Sequence, residues 1–282
     1  MDKRLAWLGV GLNQHLWRYF RHLQDDEIEE AYKGSVKTTM RLLGVNKEVA
    51  SATMKQLSSI DLEAEAEKID RLRINFLTRA DKSYPESLRN LYDKPAVLFF
   101  KGDLNDNHDI VAMVGSRKST EYGRTIAREI ASSLAEAGIT IVSGMARGID
   151  SAAHRGALER GRTVAVFGAG IDNIYPPENR HLAKEIEKSG AIVSEYPPGT
   201  PPRAMNFPGR NRIIAGLAKV VLIIEASKRS GALITADFAL EQGKDILVVP
   251  GSIKSAVSAG CHGLLKDGAG VIESADDVLE LL

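Results

Sequence analysis

Apolar residues fall at helical intervals through the first quarter of the chain. Leu5, Leu8, Leu12, Leu16 and Phe20 recur at three- and four-residue spacing, and Val36, Met40 and Leu43 repeat it before Gly44. That spacing puts them on one helix face. Val49, Met54 and Leu57 lead into the acidic, alanine-bearing stretch Asp61–Lys68. The pattern predicts a small all-helical domain over residues 1–75, serving as a cap or partner surface. The Gly44-Val45 turn is also compatible with a helix-hairpin-helix contact to DNA. A connector follows, in which Tyr84-Pro85 ends an extended piece and Ala96–Phe100 reads as a strand closed by Lys101-Gly102.

From Asp109 the period changes. Short β-branched runs at 109–114, 139–142, 163–168, 191–195, 220–225 and 246–249 alternate with amphipathic segments at 119–137, 149–160, 179–189, 211–218 and 233–242. Strands without polar alternation are buried on both faces, and strand–helix alternation means a parallel sheet with helices on both faces. Residues 76–282 are therefore expected to form one α/β domain. Ser119 or Thr120 can cap the helix after the first strand, and Gly138 can end it. Short helical pieces are expected at 260–269 and 274–282. The last carries an apolar stripe, Val278, Leu279 and Leu282. It predicts either packing on the parent domain or a dimer interface.

The chain has 282 residues, enough for two domains, with 37 basic and 37 acidic side chains. Zero net charge predicts nothing about polyanions, so any such binding must come from local clustering. The single cysteine, Cys261, excludes an intramolecular disulfide and fits a reducing, cytoplasmic setting. The N-terminus lacks a continuous apolar segment of the signal-peptide kind. The longest interior apolar run, Val220–Ile224, is far too short to span a bilayer.

Turns at the carboxyl ends of parallel strands are where ligands bind. Here they are glycine-bearing and cationic: Gly115-Ser116-Arg117, then Ser143-Gly144 leading to Arg147. Glycine admits a phosphate close to the backbone, and the helix that follows offers free N–H groups. Phe207-Pro208-Gly209-Arg210-Asn211-Arg212 reads as a basic loop before a helix, suited to a nucleic-acid backbone and a stacked base. Ser230 to Thr235, after Lys228-Arg229, is another anion-friendly turn, although Ser230 can equally be a plain helix cap. Gly168-Ala169-Gly170 starts like a dinucleotide fingerprint, but Asn173 stands where the third glycine belongs and Tyr175-Pro176-Pro177 interrupts the receiving helix. No P-loop motif occurs, and no nucleotide cofactor is expected. Asp150 and His154, one helical turn apart, form either a dyad or, more simply, buried polar contacts. Cys261 reads as a small core residue.

Taken in order, these stretches resemble the DNA-processing protein A (DprA/Smf) family. The resemblance runs over about residues 80–272. It is carried by Tyr84-Pro85, Leu88, Asp93, Pro95 and Gly102; by Gly115-Ser116-Arg117; by Ser143 to Asp150 with Ala153-His154; and by Gly168 to Pro176. Ser194 to Gly199, Phe207 to Leu217, Ser230 to Ala236 and Pro250-Gly251 continue it. It implies an extended Rossmann-like domain, preceded by a sterile-alpha-motif-like helical domain, that binds single-stranded DNA as a dimer. It further implies protection of incoming DNA during natural transformation and loading of the RecA recombinase, without nucleotide hydrolysis or a catalytic centre. The DNA pocket it implies comprises Arg117, Ser143, Gly144, Arg147, Phe207, Arg210, Asn211 and Arg212, with Gly115, Ser116, Ser230 and Thr235 beside them. Where some members carry a basic residue after Tyr-Pro, this chain has Pro177-Glu178, so a phosphate contact there is expected from Arg180. Relatives with a winged helix after the α/β domain set the expectation that this is the short form. The rival expectations are a nucleotide or phosphoribohydrolase enzyme on a similar sheet, whose P-G-G-x-G-T-x-x-E loop Pro250-Gly251-Ser252-Ile253 does not reproduce, and a small-ligand sensor.

Overall fold

A computed structural model describes residues 2–104 and 108–282. Six helices come first: α1 (Lys3–Leu12), α2 (Trp17–Phe20), α3 (Glu27–Lys33), α4 (Val36–Leu43), α5 (Lys47–Ser58) and α6 (Leu62–Arg71). Their starts are set by side-chain caps from Asp2, Ser35, Asn46 and Asp61 on α1, α4, α5 and α6. Gly44, at φ +63°, ends α4 in the left-handed conformation. The rest alternates: β1 (Asn75–Thr78), α7 (Glu86–Arg89), β2 (Val97–Gly102), β3 (Ile110–Val114), α8 (Glu121–Glu136), β4 (Thr140–Ser143), α9 (Ile149–Arg160) and β5 (Thr163–Phe167). Then come α10 (Arg180–Ser189), β6 (Ala191–Ser194), α11 (Asn206–Leu217), β7 (Val220–Ile223), α12 (Gly231–Glu241), β8 (Asp245–Val248), α13 (Ala259–Lys266), β9 (Gly270–Val271) and α14 (Asp276–Leu279).

All nine strands join one sheet in the order β1-β2-β6-β5-β4-β3-β7-β8-β9. From β6 to β9 the pairings are parallel; β2 pairs antiparallel with β6, and β1 with β2. The connector thus extends the sheet on one edge, as expected of Ala96–Phe100, while β1 and the two-residue β9 are additions that the pattern did not foretell. Alternation along β3 shows the two faces. Val111 and Met113 pack with residues of α8 and α9, whereas Ile110, Ala112 and Val114 pack with residues of α11 and α12. This is the doubly wound α/β arrangement that strand–helix alternation implies.

The first six helices share a core with that sheet. Trp7, Phe20, Leu23 and Ile28 lie in the same buried cluster as Val97, Phe99, Phe167 and Leu182. Arg79 reinforces the joint. It donates to the carbonyls of Arg21 and Leu23 at 3.2 and 2.9 Å, and its guanidinium lies 4.3 Å from the Trp7 ring centroid. The boundary expected between residues 75 and 76 falls inside β1.

Two expectations need correction. Phe207–Arg212 is not a loop: α11 begins at Asn206 and contains it. Pro208 is tolerated because it occupies the first turn, where the backbone N–H has no intrahelical acceptor to lose. In the C-terminal stripe, Val278 is not available to a partner. Val278 is fully buried, and Leu279 and Leu282 pack beside it on the α8/α9 face. The stripe packs on its parent domain, with Leu279 and Leu282 left partly exposed.

The α8/α9 contact depends on Gly156, where an added Cβ would stand 2.1 Å from the Arg128 carbonyl oxygen. Gly156→Ala gains up to about 1 kcal/mol of helix propensity. The backbone clash outweighs that, because overpacking costs roughly 1–3 kcal/mol. A net loss of stability is expected, read as a lower urea midpoint with an unchanged slope.

Candidate nucleic-acid interface

The chain runs from β3 outward to β4, β5 and β6, then returns through α11 to place β7 on the other side of β3. The carboxyl ends of β3 and β7 therefore flank a topological switch point, where a crevice is built into the fold. A cleft of about 820 Å³ opens there. One wall is Gly115 to Lys118 from the β3 turn; the other is Ser227, Ser230, Gly231 and Thr235 beyond β7. α11 supplies Phe207, Arg210 and Asn211, and Tyr175 closes the rim.

The β3 turn is held at both ends by one residue of the opposite wall. The Glu225 carbonyl accepts from Ser116 N–H at 2.7 Å, and its buried carboxylate accepts from Thr120 N–H at 2.8 Å and from the Thr120 hydroxyl at 2.5 Å. Thr120 in turn caps α8 through Gly123 N–H. Between these anchors Arg117 projects outward. Its guanidinium lies 5.3 Å from the Phe207 ring centroid, and Phe207 lies 5.7 Å from Tyr175 at a tilt of 43°. The rim is thus a row of cation, ring and ring. Among the described residues neither Arg117 nor Lys118 forms an ion pair with a carboxylate.

The remaining arginines do different work. Arg210 is buried at the cleft floor and donates to the carbonyls of Gly144, at 2.8 Å, and Val166. Burial pushes its guanidinium down to about 10, the nearby Asp150 partly opposing this. Burial likewise raises Asp150 above the usual carboxylate range, with Arg210 opposing. A Cβ on Gly144 would stand 2.5 Å from Arg210 Nη2 and 2.7 Å from Asp150 Oδ2, so glycine is required there by the floor beneath it. Arg212 points away from the cleft. It is only 4% exposed, binds both carboxylate oxygens of Glu195 at 2.8 and 2.7 Å, and pairs with Asp93 at 2.8 Å. Its desolvation is outweighed by those two carboxylates, which hold it charged.

Arg147 is exposed but engaged by Glu178, which raises its pKa through hydrogen bonding. Arg147 and Gly144 meet Arg117, Tyr175 and Phe207 around a small recess of about 40 Å³. Arg180 lies on the far side of Tyr175, in a shallow depression of about 190 Å³ shared with Pro202. Ser143 is fully buried and donates to the Met113 carbonyl at 2.6 Å, so it braces the sheet rather than facing a ligand. Ser230 caps α12 through Ala232 N–H, and Asn211 bridges Arg210 Nε and the Gly231 carbonyl. Thr235 lines the cleft from a buried position. Lys118 and Tyr175 are absent from the candidate residues named from the sequence, although Tyr175 lies within the Gly168 to Pro176 stretch that carries the resemblance.

Asp150 and His154 are not a dyad. Asp150 accepts from Ala146 N–H, and the His154 ring Nδ1 pairs with the Thr163 hydroxyl at 2.7 Å. Cys261 is buried, as expected of a core residue, and burial pushes its thiol up to about 11.

Fold and site together define the class: an α/β protein of extended Rossmann-like architecture, whose switch-point cleft sets cations against aromatic rings. The chain belongs to the family described as DNA recombination-mediator protein A, whose model matches residues 75–282. It is 45% identical over 201 residues to DNA processing protein DprA of Streptococcus pneumoniae, covering 71% of each chain. The X-ray structure of DNA processing protein A from that organism superposes with a TM-score of 0.82 at 35% identity, over 96% of this chain and 97% of that one. A second structure, DNA processing protein A from Helicobacter pylori, described for its unique single-stranded DNA binding mode, superposes with a TM-score of 0.68 at 31% identity, over 74% and 95%.

Two outcomes test this dissection. Arg212→Ala leaves the partly buried Glu195 without its partner and is expected to cost about 3 kcal/mol of stability, read by chemical denaturation. His154 gives a pH signature. Burial pushes its imidazole down to about 3, so the fold favours the neutral ring. That stability is present above the unfolded value of about 6.5 and is lost as pH falls toward 3. His154→Gln is therefore expected to lose stability less steeply than wild type between those limits, in denaturation midpoints taken at stepped pH.

Proposed function

We propose that this chain binds single-stranded DNA in the switch-point cleft and acts without a catalytic step. The observation that carries the reading is the Arg117–Phe207–Tyr175 row along the rim. A guanidinium meets a phosphate, and the adjoining rings offer stacking faces to bases of any sequence. A duplex keeps its bases stacked inside and cannot use those faces. Membership of a DNA recombination-mediator family supports the reading, as does the single-strand binding for which the Helicobacter pylori relative was described.

Within that reading, Arg117 and Lys118 carry phosphates, Phe207 and Tyr175 carry bases, and Gly115, Ser116, Gly144, Ser230 and Thr235 shape the backbone-lined walls. Arg210 and Asn211 set the floor, Arg147 and Arg180 extend the rim on either side of Tyr175, and Arg212 and Ser143 support the scaffold. The wider role proposed is that of the DprA type: a cytoplasmic homodimer that shields incoming single strands during transformation and hands them to the RecA recombinase. The dimer joins two clefts and raises avidity for a long strand. Val278, fully buried in its own domain, takes no part in that interface.

Fluorescence anisotropy with single-stranded and duplex oligonucleotides of equal length tests the proposal. Single strands are expected to bind tighter, with an affinity that falls steeply with salt as counterions are released. Arg117→Ala is expected to weaken single-strand binding by about ten- to hundredfold. Equal affinity for both forms, or an unchanged Arg117→Ala titration, would reject the cleft as the site. Glu178→Gln frees Arg147 and is expected to tighten binding by about two- to threefold at low salt, the scale of an exposed ion pair.

A further inference from the structure

The cationic and aromatic surface continues past the cleft. Phe207 and Pro208 line the main cleft, while Gly209, next on α11, lines a second one of about 280 Å³ between α11 and the N-terminal helices. The two clefts are therefore back to back across the first turn of α11. On the far wall of the second stand Arg18 and Arg21. Arg18 lies 4.7 Å from the Tyr19 ring centroid and donates to its hydroxyl at 2.7 Å; Arg21 lies 4.6 Å from the Tyr92 ring centroid.

This patch has the composition of the rim already described, built on a different part of the chain. Tyr92 is 76% exposed, a large ring left in water. Neither Arg18 nor Arg21 pairs with a carboxylate among the described residues, although Arg41, Arg128 and Arg160 on the same neutral protein do. The carboxylates in the second cleft, Asp93 and Glu195, are both engaged by Arg212. One guanidinium does not balance two carboxylates, so the floor repels an anion and the Arg18/Arg21 rim attracts it. Arg203 is exposed in the segment leading into α11.

We propose that a single strand held in the main cleft crosses the first turn of α11 and continues along the Arg18–Tyr19 and Arg21–Tyr92 pairs. The N-terminal helices then form the second part of the strand's track. This rests on the single-strand reading of the main cleft and goes beyond it by giving the helical region a share of the ligand. Alternating guanidinium and phenol groups suit a chain of phosphates and unstacked bases, read without sequence preference.

The test uses the full chain and oligothymidylates of about 6 and about 25 nucleotides, one near the lower end of the range of single-strand site sizes and one beyond it. The variants are the Arg18→Ala, Arg21→Ala double substitution and, separately, Tyr92→Ala, whose exposure makes it harmless to folding. Both are expected to leave short-oligomer binding unchanged and to weaken long-oligomer binding by about tenfold, the scale of one or two stacked bases or phosphate contacts. For the arginine pair, the salt slope on the long strand should fall by about 1.4, as about 0.7 is lost for each phosphate contact. Arg117→Ala should weaken both lengths. Wild-type behaviour of both patch variants on the long strand would overturn the proposal, and would leave an acidic protein face as the better partner for the patch. Equal losses on both lengths would also overturn it, because the two contacts would not be separable. If wild type binds neither length, the parent reading of the main cleft fails and this one with it.

Discussion

The candidate site depends on a buried guanidinium. Arg210 is buried beneath the cleft, donates to carbonyls at the carboxyl ends of β4 and β5, and has Asp150 as its nearby countercharge. Burying such a group is costly unless its donors are satisfied. The carbonyls that satisfy it belong to the turn after β4 and to β5 itself, so one side chain from α11 on one face of the sheet ties down the edge where the strands end. Gly144 is the condition for this, since any side chain there would collide with both members of the Arg210–Asp150 contact. The exposed residues stand on that floor: Phe207 on the same helix, Tyr175 against Phe207, and Arg117 over its ring.

The neighbouring arginine shows how one short segment serves two purposes. Successive residues of a helix are separated by about 100°. Phe207, Arg210 and Asn211 therefore share a face, and Arg212 falls on the opposite side. There it meets Glu195 and Asp93 and closes the joint between α11 and the connector. A run of six residues that looks like a single basic patch is a cleft-facing half and a scaffold half.

That division explains what could be read in advance. The parallel strands were legible because a strand buried on both faces must be a continuous β-branched run, and Val111–Val114 and Val220–Ile224 have no other use. The turns at their ends were legible because glycine and arginine there serve no packing role visible in the sequence. Pro208 misled, since it reads as a helix breaker unless the helix start is already known. With α11 placed five residues late, Arg210 and Arg212 seemed equivalent. The C-terminal stripe of Val278, Leu279 and Leu282 was legible as apolar but not as to what covers it, because periodicity specifies a face and not its partner. Tyr175 was illegible for a different reason: its importance comes from a ring contact with Phe207, thirty-two residues away, that only the fold creates.

Because Arg210 clamps α11 on one side and Arg212 clamps it on the other, the helix has little freedom to tilt. The cleft is consequently preorganised. A strand bound as proposed would not have to drive a domain closure to find its contacts, and little of its binding energy would be consumed in ordering the protein. Under the proposed function, capture would then be set by encounter and the lifetime of the complex by the exposed groups on the rim. Such a receptor is suited to taking hold of a flexible strand quickly and to giving it up segment by segment.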